Sequence, residues 1–479
     1  MRLVAPLLAL TSIASAAAAQ PRPNAPRPNA PRAVALIERA VTRMGGEPAL
    51  RAITSLRQDV MTTWQRTAFG DHPYADAPSY ERHVDLRDYT TNAWRNTRTF
   101  LPGSGSSVDI VRDTVGGRTA TGPNNQQQIQ PLNIAYVDER RELFAFAPER
   151  MLLLARDAGG LRTLADTTID GVIHARIATT VDGFPATWFM RSTDGLPAMV
   201  RFVADETNDF GLAPWGEQEV EIWYSAWGRV APGILYPRQR DVRRVGRPYK
   251  RMTSLAITIN APAPADSFAI ADSVVQRFLL SERRPMWAVP LDSTKIESDA
   301  FASFSPWIGA AGALKVGGKW VLIETGQAAG AARNAAEWLA RRTGAPVAAG
   351  IAARTSTGNG GARWFVDERL PLYTARGATR MLRQIVGTAR WSRATPVTTS
   401  RWVRIGSDSL WLEPIDLPDT HGALAVYSPA HRWLYSPVYG ALPYQVEHDA
   451  LIARLRARGL AVEWAGGARG FRTPVPPPR

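Results

Sequence analysis

The strongest constraint on the fold is a period-two pattern that runs from Ser55 to about Ala271. Residues 219–224, for example, read EVEIWY, with charged or aromatic side chains alternating with apolar or aromatic ones. Successive side chains of a β-strand point to opposite faces, so this pattern predicts strands. Dipeptides such as Asp182-Gly183 mark turns between them. The segment therefore predicts a curved antiparallel sheet with helical insertions, one of them over Pro148 to Ala158.

Helices are expected in front of this sheet. Apolar residues recur at helical spacing from Ala33 to Met44, and Gly45-Gly46 ends that helix. Pro48 opens a second, shorter helix that ends near Ile53.

The first residues have the order of a secretory signal peptide. Arg2 supplies a positive charge, residues 3–13 are mostly apolar, and Ala17-Ala18-Ala19 fits a cleavage site for small residues. Residues 1–19 are therefore predicted to be a signal peptide, and the mature protein is expected in the periplasm or secreted. Residues 20–32 contain the repeat PRPNA and predict an extended proline-rich linker.

Composition excludes several classes of site. The chain has no cysteine, which rules out disulfides and thiolate metal sites. The net charge is +14, but the arginines are scattered, whereas a nucleic-acid-binding protein concentrates its charge on one face. No segment after the signal is long and apolar enough for a membrane helix. We therefore expect no nucleic-acid partner and no transmembrane segment.

Residues 33–280 resemble the LolA-like lipoprotein-carrier fold, an unclosed β-barrel around an apolar cavity. The resemblance rests on the helix ending Met44-Gly45-Gly46, the spacing of Leu50, Ile53 and Leu56, and residues 222–237, which begin IWYSAW and end GILYP. It implies a curved antiparallel half-barrel. It also suggests an apolar ligand or a lipid as partner.

The pattern changes after a linker at residues 281–285. Short apolar strands such as Trp320–Glu324 alternate with helices such as Gly326–Arg342. Two hairpins follow, over residues 401–413 and 423–435, and a long helix is predicted from Tyr444 to Leu460. Residues 286–479 are therefore expected to form a layered domain of sheets covered by helices.

This second domain resembles the metallo-β-lactamase (MBL) fold, an αββα sandwich of zinc hydrolases. The matching order is residues 321–326 (VLIETG), a helix, the strand after Pro346, a loop ending Gly360-Gly361, and the hairpins. Family members carry H-x-H-x-D-H before the glycine pair, and these side chains hold zinc. Residues 353–358 read ARTSTG here, so all four ligand positions lack a donor of the family. Zinc is expected of the family but is not supported by this sequence.

The remaining candidates for a site are few. Asp419 stands where the next family histidine falls, with His421 two residues on, and Glu324 ends the first strand of the domain. The residues expected to line the old cleft are Arg354, Thr355, Thr357, Asp419 and His421. The glycine-rich residues 358–361 could cradle an anion or form a tight turn, and the turn is favoured. His448 is expected on the solvated side of the last helix.

Three hypotheses follow. The first is an exported, non-catalytic binding or scaffold protein whose MBL-like domain has lost its zinc site. The second is a hydrolase with altered, metal-independent or residual chemistry in the same cleft. The third is lipid or lipoprotein binding by the half-barrel.

Overall fold

We describe the protein from a computed structural model. It describes residues 28–65, 79–101, 105–114, 117–123, 129–131, 144–205, 217–264, 266–280, 295–304, 312–326, 328–354, 359–417, 420–437, 445–467 and 470–475. The predicted signal peptide lies outside these ranges, as does most of the proline-rich linker.

The helices fall at the start of the chain and between the strands. Their bounds are α1 (Pro31–Met44), α2 (Glu47–Arg51), α3 (Met151–Ala158), α4 (Asp272–Leu280), α5 (Ala329–Thr343), α6 (Ala362–Asp367), α7 (Thr379–Val386) and α8 (Gln445–Ala457). Short 3-10 helices cover Arg376–Ala378 and Thr388–Arg393. None of the helices in the described ranges is long and apolar enough to cross a membrane.

The first half of the chain builds one antiparallel sheet. In the described residues it has 13 strands in the order β6-β5-β4-β3-β2-β1-β13-β12-β11-β10-β9-β8-β7. The strands are β1 (Ser55–Trp64), β2 (Ser79–Asp88), β3 (Ala93–Leu101), β4 (Ser106–Thr114), β5 (Gly117–Pro123), β6 (Ile129–Pro131), β7 (Arg162–Ile169), β8 (Val172–Val181), β9 (Phe184–Arg191), β10 (Pro197–Asp205), β11 (Glu217–Ala231), β12 (Ile234–Arg244) and β13 (Arg247–Ile259). A large antiparallel sheet was the expectation for this segment.

One face of this sheet is apolar along β8–β12. Trp188, Phe202 and Ile222 on this face pack against Ile37 and Met151, which lie on α1 and α3. Burial of such side chains contributes about 1.5–3 kcal/mol each. The two helices therefore cover the apolar part of the face and form the core of the first half.

On β2 the same face carries a row of polar and charged side chains. Glu81, His83, Asp85 and Arg87 alternate on β2 and are all buried. His83 Nε2 lies 3.1 Å from Glu81 Oε2, and the Asn96 side chain lies 3.1 Å from His83 Nδ1 and donates to Asp85. The polar row on β2 was not expected from an apolar lining, whereas Leu56, Trp94 and Val111 on the same face are apolar and buried.

The second half builds two sheets. The first runs β14-β15-β16-β17-β18-β19-β20 and is parallel from β17 to β20, and the second runs β21-β22-β23-β24-β25-β26. The strands are β14 (Lys295–Ser298), β15 (Phe301–Ser303), β16 (Gly312–Val316), β17 (Lys319–Ile323), β18 (Val347–Ala352), β19 (Leu372–Ala375), β20 (Ala394–Val397), β21 (Arg401–Ile405), β22 (Asp408–Leu417), β23 (Thr420–Ser428), β24 (Trp433–Tyr435), β25 (Trp464–Gly467) and β26 (Gly470–Pro474).

Strand β23 shows how these sheets are layered. Leu424 and Val426 belong to the core shared with the other sheet, whereas Ala423, Ala425 and Tyr427 face α8. Helix α5 packs on the outer side of the parallel strands through Ala332, Ala336 and other small residues. The two sheets therefore face each other, with helices outside.

Boundaries differ from the sequence predictions by a few residues. The helix predicted over 33–44 is α1, and the one predicted over 444–460 is α8 (Gln445–Ala457). The helix predicted over Gly326–Arg342 is α5, which begins three residues later, at Ala329.

Candidate functional site

Glu324 follows β17 directly and has an unusual backbone. Its φ is +61°, in the left-handed region that non-glycine residues rarely adopt. Its N–H donates to the carbonyl of Ile351, which fixes the residue against β18. Ligands of sheets with parallel strands collect at the carboxyl ends of those strands, and Glu324 lies at such an end. A strained polar residue in this place is a candidate for function.

Arg354 and Tyr435 meet the Glu324 carboxylate. The Tyr435 hydroxyl donates to Glu324 Oε1 over 3.0 Å, and Arg354 Nε lies 3.6 Å from the same oxygen. Glu324, Arg354 and Tyr435 are 4%, 6% and 0% exposed. We call these three residues the buried cluster. It joins the ends of β17, β18 and β24.

Further contacts hold Arg354 in place. Its Nη2 lies 3.4 Å from the carbonyl of Pro437, and its own carbonyl accepts a 3.0 Å hydrogen bond from Asn359 Nδ2. Contacts of both its side chain and its backbone therefore hold Arg354 in place.

The protonation of Glu324 reflects its burial. Burial raises the pKa of Glu324 to about 7, although Arg354 and the Tyr435 hydroxyl act in the opposite direction. Burial also raises the pKa of Tyr435 well above its usual range. Glu324 therefore gains or loses its proton near neutral pH, whereas the Arg354 guanidinium stays charged.

Among the described residues, one small cavity borders Glu324. The cavity bordered by Glu324, Thr325 and Phe304 has a volume of 10 Å³, which is about the room for one water molecule. Four buried hydroxyl or amide oxygens near these strand ends have no hydrogen-bond partner among the described residues, and they belong to Thr325, Asn359, Thr374 and Ser436. Ordered water is the usual partner of such groups.

The glycine pair after this segment has a packing role. A Cβ on Gly361 would lie 1.9 Å from the carbonyl oxygen of Thr325, and the Gly361 N–H donates to the carbonyl of Gly326. Only glycine permits this approach. The described part of residues 358–361 therefore matches the favoured prediction, a tight turn.

Of the five residues predicted to line the cleft, the structure describes two. Arg354 is in the buried cluster. His421 is on β23 with a 63% exposed side chain, and its Nδ1 lies 4.0 Å from Asp416 Oδ1. Thr355, Thr357 and Asp419 lie outside the described residues. Among the described contacts, Arg354 lies against Glu324, whereas His421 lies near Asp416.

The described residues do not fit the zinc site that the family resemblance implies. They contain no group of three or more His, Cys, Asp or Glu that could hold a metal ion. The segment that would supply the ligands instead places the Arg354 guanidinium against the Glu324 carboxylate. A fixed cation next to the Glu324 carboxylate opposes binding of a dication there.

Two positions were misjudged or missed from the sequence. Tyr435 was missed because it belongs to no sequence motif. Only the folded structure brings its hydroxyl to the Glu324 carboxylate. His448, expected to be solvated, is 1% exposed, because its face of α8 is covered.

Comparisons with known proteins give distant similarity only. No protein-family model and no curated protein matches the chain. Among solved structures, an outer membrane lipoprotein-sorting protein domain from Vibrio parahaemolyticus is 9% identical, covers 49% of this chain and 97% of its own, and has a TM-score of 0.33. A metallo-beta-lactamase from Pontibacter korlensis is 16% identical, covers 38% of this chain and 91% of its own, and has a TM-score of 0.29. Values this low do not carry over the activity or ligand of either protein.

Proposed function

We propose that this chain is an exported, non-catalytic binding protein. Its second half has an MBL-like αββα fold in which the buried cluster stands in place of a metal centre. The observation that carries this proposal is the Arg354 guanidinium, buried and 3.6 Å from Glu324. The charge that a zinc ion would supply is already provided by the side chain.

The geometry also argues against substrate turnover at the cluster. The described cavity that borders Glu324 has a volume of 10 Å³, which is too small for a lactam, ester or phosphodiester. The Tyr435 hydroxyl and the Arg354 guanidinium both lie at Glu324 Oε1, so this oxygen is held by the protein's own side chains.

The test is a hydrolysis panel on the purified full chain. Lactam, ester and phosphodiester substrates are assayed with added zinc and with chelator, beside an established zinc hydrolase. We expect no turnover above buffer in either condition. Turnover that zinc supports and chelator removes would contradict the proposal.

Metal-independent acid–base chemistry is the second candidate. A carboxyl group with a pKa of about 7 has the value of an effective general acid or base at neutral pH. Under this candidate, Glu324→Gln abolishes an activity that chelator leaves intact, whereas Glu337→Gln on the exposed side of α5 does not. Absence of any such activity across the panel removes this candidate.

Export and domain bounds are part of the proposal. We propose cleavage after Ala19, a linker over residues 20–32, and two domains over 33–280 and 286–479. Mass spectrometry of the protein recovered from the periplasm or medium is expected to give Gln20 as the first residue. A cytoplasmic chain that keeps Met1 or Arg2 would contradict export.

A further inference from the structure

A cleft lies where the first sheet meets α7 and the 3-10 turn after it. It has a volume of 480 Å³, within the range of about 300–1,000 Å³ that small-molecule sites occupy. Val203 and residues 218–219 line it from β10 and β11, and Arg363 and residues 383–390 line it from the second half. The cleft is therefore distinct from the buried cluster.

Three arginines line this cleft. The Asp367 carboxylate forms ion pairs with two of them. It lies 3.6 Å from Arg363 Nε and 3.2 Å from Arg390 Nη1. Arg383 is exposed, and in the described part of the chain its side chain makes no hydrogen bond or ion pair. Guanidinium groups bind carboxylates and phosphates with two parallel hydrogen bonds, so this set favours an oxyanion.

The acidic groups in and beside the cleft are Glu219 and Asp367, against three arginines. Glu219 is the acidic residue in the lining, and burial raises its pKa, although Arg201 at 3.5 Å acts in the opposite direction. A higher pKa makes the neutral form easier to reach when an anion approaches. The net charge of +14 adds long-range attraction for anions.

The rest of the lining supplies polar and apolar contacts. Val203 is 47% exposed, and Ile385 and Val386 lie across the cleft from it. Gln218 is 2% exposed, and neither of its amide atoms has a hydrogen-bond partner in the described residues. A buried amide without a partner is rare in native proteins.

We propose that this cleft binds a small molecule carrying phosphate or carboxylate groups, with Arg383 and Arg390 as its main anion contacts. This goes beyond the proposed function, because it assigns a ligand class to a separate site. It does not depend on the absence of zinc from the buried cluster.

The test is calorimetric titration of the full chain with inorganic pyrophosphate and with citrate at constant ionic strength. We expect saturable binding of at least one of them, which Arg383→Gln weakens about tenfold or more. Arg401→Gln is the matched control, since Arg401 is an exposed arginine on β21 away from the cleft. We expect it to bind like the unaltered chain.

Each outcome decides the proposal. Binding of pyrophosphate alone identifies phosphate esters as the ligand class, and binding of citrate alone identifies polycarboxylates. No saturable binding of either overturns the proposal. An equal effect of Arg383→Gln and Arg401→Gln also overturns it, because it shows general attraction to the positive chain.

Discussion

At the residue scale, Glu324 and Arg354 share a buried environment. A buried charge is costly unless it is paired, and removing one partner of a buried pair typically costs about 3–5 kcal/mol. Here the carboxylate can also take up a proton, since its pKa is about 7. The cost of losing Arg354 therefore depends on pH.

Arg354→Met is expected to destabilise the protein more at about pH 8 than at about pH 5. Without the guanidinium the pKa of Glu324 rises further, so at low pH the neutral carboxyl tolerates the loss, whereas at high pH it is a lone buried charge. The expected loss at high pH is about 3–5 kcal/mol. Urea unfolding at both pH values measures it.

Arg376→Met is the control for this substitution. Arg376 binds Asp416 over 2.7 Å, but both side chains are about half exposed, at 45% and 53%. Exposed pairs contribute about 0–1 kcal/mol. Equal losses for Arg354→Met and Arg376→Met at both pH values would contradict the buried ion pair.

Glu324→Gln is expected to flatten the pH dependence of stability. The folded-state pKa of about 7 is above the ordinary value of 4.5, so the folded chain retains a proton that the unfolded chain releases between these values. Stability therefore falls as pH rises through this window, by roughly 3 kcal/mol, and the amide removes this fall. Glu337→Gln, on the exposed side of α5, controls for the lost charge. An unchanged slope in Glu324→Gln would show that another group titrates.

At the scale of elements, the turn at Gly361 fixes the segment that carries Arg354 and Asn359. Gly361→Ala places a methyl group 1.9 Å from the Thr325 carbonyl oxygen. We expect a loss of more than about 3 kcal/mol, since the backbone must move. Gly470→Ala is the matched control, because its nearest neighbour is Thr473 Oγ1 at 3.5 Å. Thermal unfolding of both variants compares them, and equal midpoints would contradict the close approach.

The elements themselves were largely predictable from the sequence. Periodicity located α1 and the hairpin of β21 and β22, and it indicated that the segment from Ser55 to about Ala271 forms strands, because each repeats one burial pattern over several residues. The site was predictable only in part. Arg354 and Glu324 stood out beside the altered motif, but Tyr435 is 111 positions from Glu324, and only the folded register brings them together. The polar face of β2 was missed, because an alternating pattern indicates which residues share a face. It does not indicate which residues of other elements that face contacts.

At the scale of the whole molecule, Val245 connects the two halves. It lies in the turn between β12 and β13 with φ +50°, an outlier for a β-branched residue. It is 1% exposed and belongs to the core of the second half. Packing across the junction thus holds a strained turn in place.

Val245→Ala is expected to lower the free energy of unfolding of the full chain by about 1–2 kcal/mol, since two buried methyl groups are lost. Leu255→Ala, on β13 and 53% exposed, is the control and should change it by less than about 0.5 kcal/mol. Denaturant unfolding followed by tryptophan fluorescence measures both. Equal, small effects would show that the junction does not contribute to stability.

The most direct test of the central claim is the zinc content of the folded chain. The purified full chain is incubated with excess zinc at neutral pH, desalted and analysed by mass spectrometry of its metal, beside an established zinc hydrolase. Because Arg354 already supplies the positive charge beside Glu324, we expect the chain to retain far less than one zinc ion per molecule. One or more zinc ions retained per chain would contradict it.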